Sequence, residues 1–295
     1  MQSAGPEFPG IARYNPPVPN LPTTPEEMYL DLLKRTLSRY AFGDSLRPFA
    51  FTKGSVPRAI YAPLRALLDS AKVELVRRVP FDPALRAEGR DWPPDAETMI
   101  GMKRLDNLQA CVTDVIRRKV SGDLIETGVW RGGAAIFMKG ILRACGDTSR
   151  TVWVADSFRG LPKPDGAKYP ADAGDEHWVH SELAVSVAQV KANFERYGLL
   201  DDRVRFLEGW FKDTLPKAPI QRLAIARLDG DMYESTMDAL EPLYDRVSVG
   251  GYLIVDDYGA VPACRQAVED FRARRGITEP VVPIDWTGVF WRKER

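Results

Sequence analysis

The stretch Asp123-Leu124-Ile125-Glu126-Thr127-Gly128-Val129-Trp130-Arg131-Gly132-Gly133 decides how the rest of the chain is read. Its apolar front half has the length of a buried strand, its glycine-rich back half is a tight turn, and Gly133–Ala144 continues with a helical apolar pattern. A strand that passes through a glycine turn into a helix is the opening of a βα unit. The turn departs from the dinucleotide pattern G-x-G-x-x-G, because Glu126 stands where the first glycine would be. With no glycine triplet to frame a pyrophosphate, a nucleoside lacking phosphates suits it better than NAD. Without any ligand, the same residues make a plain strand-to-helix turn.

Working toward the carboxyl terminus, apolar runs at Thr151–Ser157, Val204–Gly209, Leu223–Asp229 and Gly251–Asp257 join Asp123–Val129 as buried, near-continuous strands. Helices are predicted at Gly133–Ala144, Ser186–Tyr197, Ser235–Tyr244 and Val261–Arg275. Val281–Ile284 and Gly288–Arg292 are separated only by Asp285, Trp286 and Thr287, too few residues for a helix, so they read as an antiparallel hairpin. The result is an α/β fold around a mostly parallel sheet, in which ligands lie beyond the carboxyl ends of the strands.

Working toward the amino terminus, the rhythm changes before Pro94, and we divide the chain into an accessory region 1–94 and a main domain 95–295. Met1–Asn20 is rich in proline and carries no apolar run, so it reads as a disordered or wrapping leader rather than a signal or membrane span. A helix is expected from Thr24 to Arg39, with Pro25 in its first turn and Leu30, Leu33 and Leu37 on one face. A second, amphipathic helix is expected at Arg58–Arg78, serving packing or oligomerisation rather than a membrane surface.

The 295 residues contain 41 Lys and Arg against 41 Asp and Glu, a net charge of +0 that gives no field to draw the chain onto nucleic acid or anionic lipid. A small-molecule partner fits better. Cys111, Cys145 and Cys264 are scattered among apolar residues, which reads as buried free thiols in a reducing, cytoplasmic setting.

The chemistry gathers at strand ends. Asp156 closes the second strand, where an acid accepts from ribose hydroxyls. Asp229 and Asp231 end the fourth, and Asp256 and Asp257 end the fifth. Any one of these is an ordinary cap or turn residue, but four together repel unless a cation neutralises them. An all-oxygen set suits Mg²⁺, Ca²⁺ or Mn²⁺ rather than Zn²⁺, with Mg²⁺ the simplest occupant. The long loop Lys163–Trp178 reads as a lid. His177 and His180, the two histidines, read as surface or substrate contacts, and Trp286 is a minor candidate for touching substrate.

Taken in order, Glu97-Thr98-Met99-Ile100-Gly101 through Asn107, Glu126 through Gly133, Val154-Ala155-Asp156-Ser157-Phe158, Asn193-Phe194 through Asp202, Leu228-Asp229-Gly230-Asp231 and Asp256-Asp257-Tyr258 resemble the macrocin O-methyltransferase family. The resemblance spans Pro25 to Trp291 and is close from Glu97 onward. It implies a Rossmann-like class I methyltransferase fold with seven strands, the last antiparallel, plus an N-terminal helical extension. It also implies S-adenosylmethionine and Mg²⁺ as cofactors, and transfer of a methyl group to a sugar hydroxyl on a small molecule or glycan. By the same resemblance Asp229, Asp256 and Asp257 would be metal ligands and Asp231 the general base. Glu126, Thr127 and Asp156 would hold the cofactor with help from Thr98, Met99 and Ser157, and Gly209, Trp210 and Phe211 would lie beside the adenine. Relatives of this kind assemble as dimers or larger homo-oligomers. A catechol acceptor, an NAD-dependent oxidoreductase and a non-catalytic nucleotide-binding protein are the competing readings.

Overall fold

The computed structural model describes residues 22–48, 66–68 and 70–295. The proline-rich leader and most of the first half of the expected Arg58–Arg78 helix lie outside them. Helix α1 (Pro25–Leu37) follows Thr24, whose hydroxyl accepts from the Glu27 N–H while Glu27 reaches back to the Thr24 N–H. Its Leu30, Leu33 and Leu37 are buried as the spacing predicts. The second expected helix is corrected: residues 66–68 are helical, but Val76–Val79 is strand β2, paired antiparallel with β1 (Ser45–Pro48). Leu67, Val73 and Leu75 are exposed, so the apolar spacing that suggested a core-facing helix has no core to face.

A short helix α2 (Pro83–Glu88) and a long helix α3 (Met102–Arg117) lead into the main sheet. The sequence reading does not name α3, although Leu105, Leu108, Val112 and Val115 form its buried stripe. From there strands and helices alternate as β3 (Asp123–Thr127), α4 (Gly133–Ala144), β4 (Val152–Asp156), α5 (Val187–Arg196), β5 (Val204–Glu208), α6 (Phe211–Thr214), β6 (Leu223–Leu228), α7 (Tyr233–Leu243), β7 (Val247–Val255) and α8 (Pro262–Arg275). The hairpin β8 (Val282–Pro283) and β9 (Val289–Arg292) closes the chain.

The strand order is β5-β4-β3-β6-β7-β9-β8, parallel through β7, with β9 antiparallel to both of its neighbours. This is the seven-stranded arrangement expected. One apolar core packs α1, α3, α4 and α5 on one face, and a second packs α7 and α8 on the other. Helix α1 sits close on α4 because Gly140 leaves room: a Cβ there would stand 2.3 Å from a Leu33 methyl. Cys111 and Cys264 are buried, whereas Cys145 is exposed at the end of α4, which corrects the expectation for that thiol.

The order of connection reverses between β3 and β6, so the crevice opens where Thr127 and Asp229 leave adjacent strands. Gly128 makes that crevice possible. Its φ is +76°, and a Cβ would lie 1.8 Å from the Asp229 carbonyl oxygen, so no other residue fits without moving the strand ends apart.

Candidate active site

Two cavities meet at the switch point. The first is lined by Met99, Asp156, Ser157, Trp210 and Phe211, five of the nine residues expected to hold the cofactor. The second, of about 630 Å³, is lined by Thr98, Met99, Glu126, three tryptophans, part of the loop around His177, and Asp229, Asp231, Asp256 and Asp257. Asp229 and Asp231 border both. Thr127 and Gly209 line neither: Thr127 is fully buried, and Gly209, at φ +139°, turns the chain after β5 with its N–H on the Asp156 carbonyl.

At the first cavity, Asp156 is held from below. One carboxylate oxygen accepts the Val129 N–H at 2.8 Å and the other the Phe158 N–H at 2.7 Å. The Ser157 hydroxyl also approaches Oδ1, at 3.4 Å, so the carboxylate is held in a fixed orientation at the cavity wall. Burial raises the Asp156 pKa despite these N–H donors.

At the second, carboxylate oxygens of Asp229, Asp231 and Asp257 lie within 4.8 Å of one another. Asp231 is at φ +55°, an unusual conformation for a non-glycine, and its N–H donates to Asp257 Oδ2 at 3.2 Å. Burial and the neighbouring acids push Asp229 and Asp257 well above the ordinary carboxylate range. Asp231 is pushed up to about 6 by burial, with Asp256 and Asp175 adding to the rise and His177 opposing it. Carboxylates so placed bind protons or a hard cation.

Asp256, expected as a third metal ligand, is not in that trio. Arg104 from α3 and Arg227 from β6 both donate to it, and its side chain is almost wholly buried. Arg104 also pairs with Asp285 at 2.9 Å. Arg227 spans Glu126 at 2.7 Å and Asp229 at 3.0 Å. Six carboxylates (Glu126, Asp229, Asp231, Asp256, Asp257 and Asp285) thus face two guanidiniums. The other oxygen of Glu126, Oε2, is buried without a partner at the cavity wall. Sequence reasoning missed both arginines, although an arginine inside the otherwise apolar strand Leu223–Leu228 is a signal in itself.

The expected lid packs over this site. Asp172 reaches from it to accept the Tyr233 and Glu234 N–H groups at 2.6 and 2.9 Å, serving as an outside cap for α7, the helix that follows Asp231. His177 is hydrogen-bonded to Asp175 at 2.7 Å and His180 to Glu182 at 3.1 Å, so the two histidines do not pair with each other. Trp286 lines the larger cavity, as the sequence suggested, and so does Trp92, which it did not.

A doubly wound sheet with its cavities at this switch point, and with β9 running against its neighbours, has the Rossmann-like methyltransferase fold of NovP. The chain belongs to the macrocin O-methyltransferase family: that family's model matches residues 26–293. It is 52% identical over 267 residues to the 8-demethyl-8-(2,3-dimethoxy-alpha-L-rhamnosyl)-tetracenomycin-C 4'-O-methyltransferase of Streptomyces olivaceus, covering 90% of this chain and 92% of the relative. It is 48% identical to the mycinamicin III 3''-O-methyltransferase of Micromonospora griseorubida, covering 92% and 98%. The solved structure of the O-methyltransferase NovP aligns with a TM-score of 0.78 at 47% identity, covering 92% of this chain and all of that one. The protein is an O-methyltransferase.

Proposed function

We propose that the enzyme transfers a methyl group from S-adenosylmethionine to a hydroxyl of a deoxysugar on a natural product, in the cytoplasm, with the help of Mg²⁺. The observation that carries this is the meeting of two cavities at the carboxylate trio, one suited to a nucleoside and one to an acceptor. The relatives support the acceptor class: one is named for 4'-O-methylation of a rhamnosyl-tetracenomycin, another for 3''-O-methylation of mycinamicin III.

The residues present fit both groups. Asp156 would accept from the ribose, Trp210 and Phe211 would flank the adenine, and the unpartnered Glu126 oxygen, on the wall of the larger cavity, would receive the cofactor's ammonium. Asp229 and Asp257 would hold Mg²⁺, an oxygen-seeking cation that relieves the repulsion among these acids. Asp256, clamped by two arginines, supplies fixed negative charge behind them. The cofactor supplies a methyl group on a positively charged sulfur, and the metal lowers the pKa of hydroxyls next to it.

The remaining work falls to the chain. Asp231 takes the proton of the acceptor hydroxyl as the oxygen attacks the methyl carbon. The Asp172 anchor keeps the lid over the reacting atoms and limits water there. The test is incubation with methyl-labelled S-adenosylmethionine and a rhamnoside or a catechol, with Mg²⁺ or with EDTA. Label on the rhamnoside only with Mg²⁺ is expected. Label on the catechol alone would overturn the sugar assignment, and transfer undiminished by EDTA would overturn the metal.

A further inference from the structure

The rim of the larger cavity carries aromatic side chains that methyl transfer itself does not need. Trp92 is 57% exposed, a large apolar surface left in water at a cavity mouth. Its φ is +41°, a left-handed conformation that a bulky residue adopts only where the surroundings impose it. Those surroundings are visible. Arg47 on β1 donates to the carbonyls of Asp91 and Trp92 at 2.6 and 3.0 Å. Arg86, buried on α2, pairs with Asp91 at 3.2 Å and donates to the carbonyls of Met99 and Ile100, the segment that enters both cavities. Trp286 faces the same cavity, with its indole N–H on the Glu88 carbonyl at 2.8 Å and the Arg90 guanidinium 4.4 Å from its ring centre. The accessory region therefore builds one side of the acceptor cavity and fixes an indole there.

The charges of this cavity restrict what can stack on that indole. Among the described residues lining it, the cationic side chains Arg104, Arg227 and His177 are each already paired with carboxylates. None of these three lining cations is free for a diphosphate. This lining favours an uncharged group beyond the sugar, and an indole face favours a flat ring system.

We propose that Trp92, backed by Trp286, is the platform on which an uncharged, flat aglycone stacks, and that it is a specificity-determining residue for glycoside acceptors. This rests on the reading that the sugar lies at the carboxylate trio.

The experiment compares a nitrophenyl rhamnoside, methyl rhamnoside and TDP-rhamnose as acceptors for the full chain with S-adenosylmethionine and Mg²⁺. The wild type is expected to favour the aryl over the methyl glycoside by about tenfold or more in kcat/KM and to reject the sugar nucleotide. Trp92→Ala should collapse that ratio, chiefly through KM of the aryl glycoside, and Trp92→Phe should restore most of it. A ratio unchanged in Trp92→Ala, or a preference for TDP-rhamnose, would overturn the platform. Ligand-observed NMR of the aryl rhamnoside, independent of turnover, separates the two readings. Binding that weakens in Trp92→Ala while nothing is methylated supports the platform and overturns the sugar methylation, and binding that is indifferent to Trp92 overturns the platform.

Discussion

The two ends of the central sheet are both charged and both hollow, yet they are built on opposite terms. At the amino end of the parallel strands lies a groove of about 1010 Å³, larger than the acceptor cavity and lined by Arg118, Arg222, Arg246 and Lys293. Three of its cations bind backbone: Arg118 donates to the Gly250 carbonyl and also pairs with Asp114, Arg246 donates to the carbonyls of Pro216 and Ala218, and Lys293 to those of Tyr244 and Val247. At the carboxyl end the cations are answered by carboxylates, and carboxylates remain over. Charge used to tie down chain ends leaves nothing to react, whereas a buried surplus of acid is held at a cost that a metal, a cationic cofactor or a proton relieves. Size alone would have pointed to the wrong end.

Substitution at each end should separate these roles most widely in turnover. Asp257→Asn should lower methyl transfer by roughly 10³-fold, while Arg222→Ala in the opposite groove leaves it within about twofold, as read by labelled product under initial-rate conditions. Equal losses at both ends would erase the distinction.

Stability should follow next. Arg227→Met leaves Glu126 and Asp256 buried with one partner fewer, a loss of about 3–5 kcal/mol. Arg118→Ala removes a partly exposed pair with Asp114, worth at most about 1 kcal/mol. Urea midpoints with unchanged slopes would measure both, and similar shifts would contradict the contrast.

A smaller effect is expected where the lid is pinned. Asp172→Ala uncaps α7 and should cost about 1 kcal/mol, with KM for the acceptor rising more than kcat falls. A change in kcat alone would detach the lid from acceptor binding.

The gentlest test is pH. Asp156 must be charged to accept from two hydroxyls, and its pKa is raised by burial, so protonation begins above the ordinary aspartate range. Cofactor affinity, measured by calorimetry, should therefore weaken as pH falls, and the Asp156→Asn variant should bind weakly with no such slope. A slope that survives the substitution would assign it elsewhere.

The sheet was legible because each strand runs apolar to a glycine, proline or aspartate that stops it, as at Thr127-Gly128 and Leu228-Asp229. The acids were legible for the same reason, since strand ends are where they stand. What pairs with them was not. Arg104 and Asp256 are 152 residues apart, and no local pattern announces a contact made only when α3 packs across the sheet. The ribbon of β1 and β2 was hidden because its short strands are joined across a long gap and carry few apolar residues inward. Trp92 was hidden by its setting in a polar loop, where its position depends on Arg47 and Arg86 rather than on its neighbours in sequence.

Asp231, at the junction of the two cavities, is the residue proposed to remove the acceptor's proton. The most direct measurement is single-turnover transfer of labelled methyl to a rhamnoside by Asp231→Asn, with cofactor binding followed by calorimetry on the same sample. Binding within about threefold of the wild type and transfer slowed by about 10³-fold are predicted. Transfer at the wild-type rate, with binding intact, would contradict it.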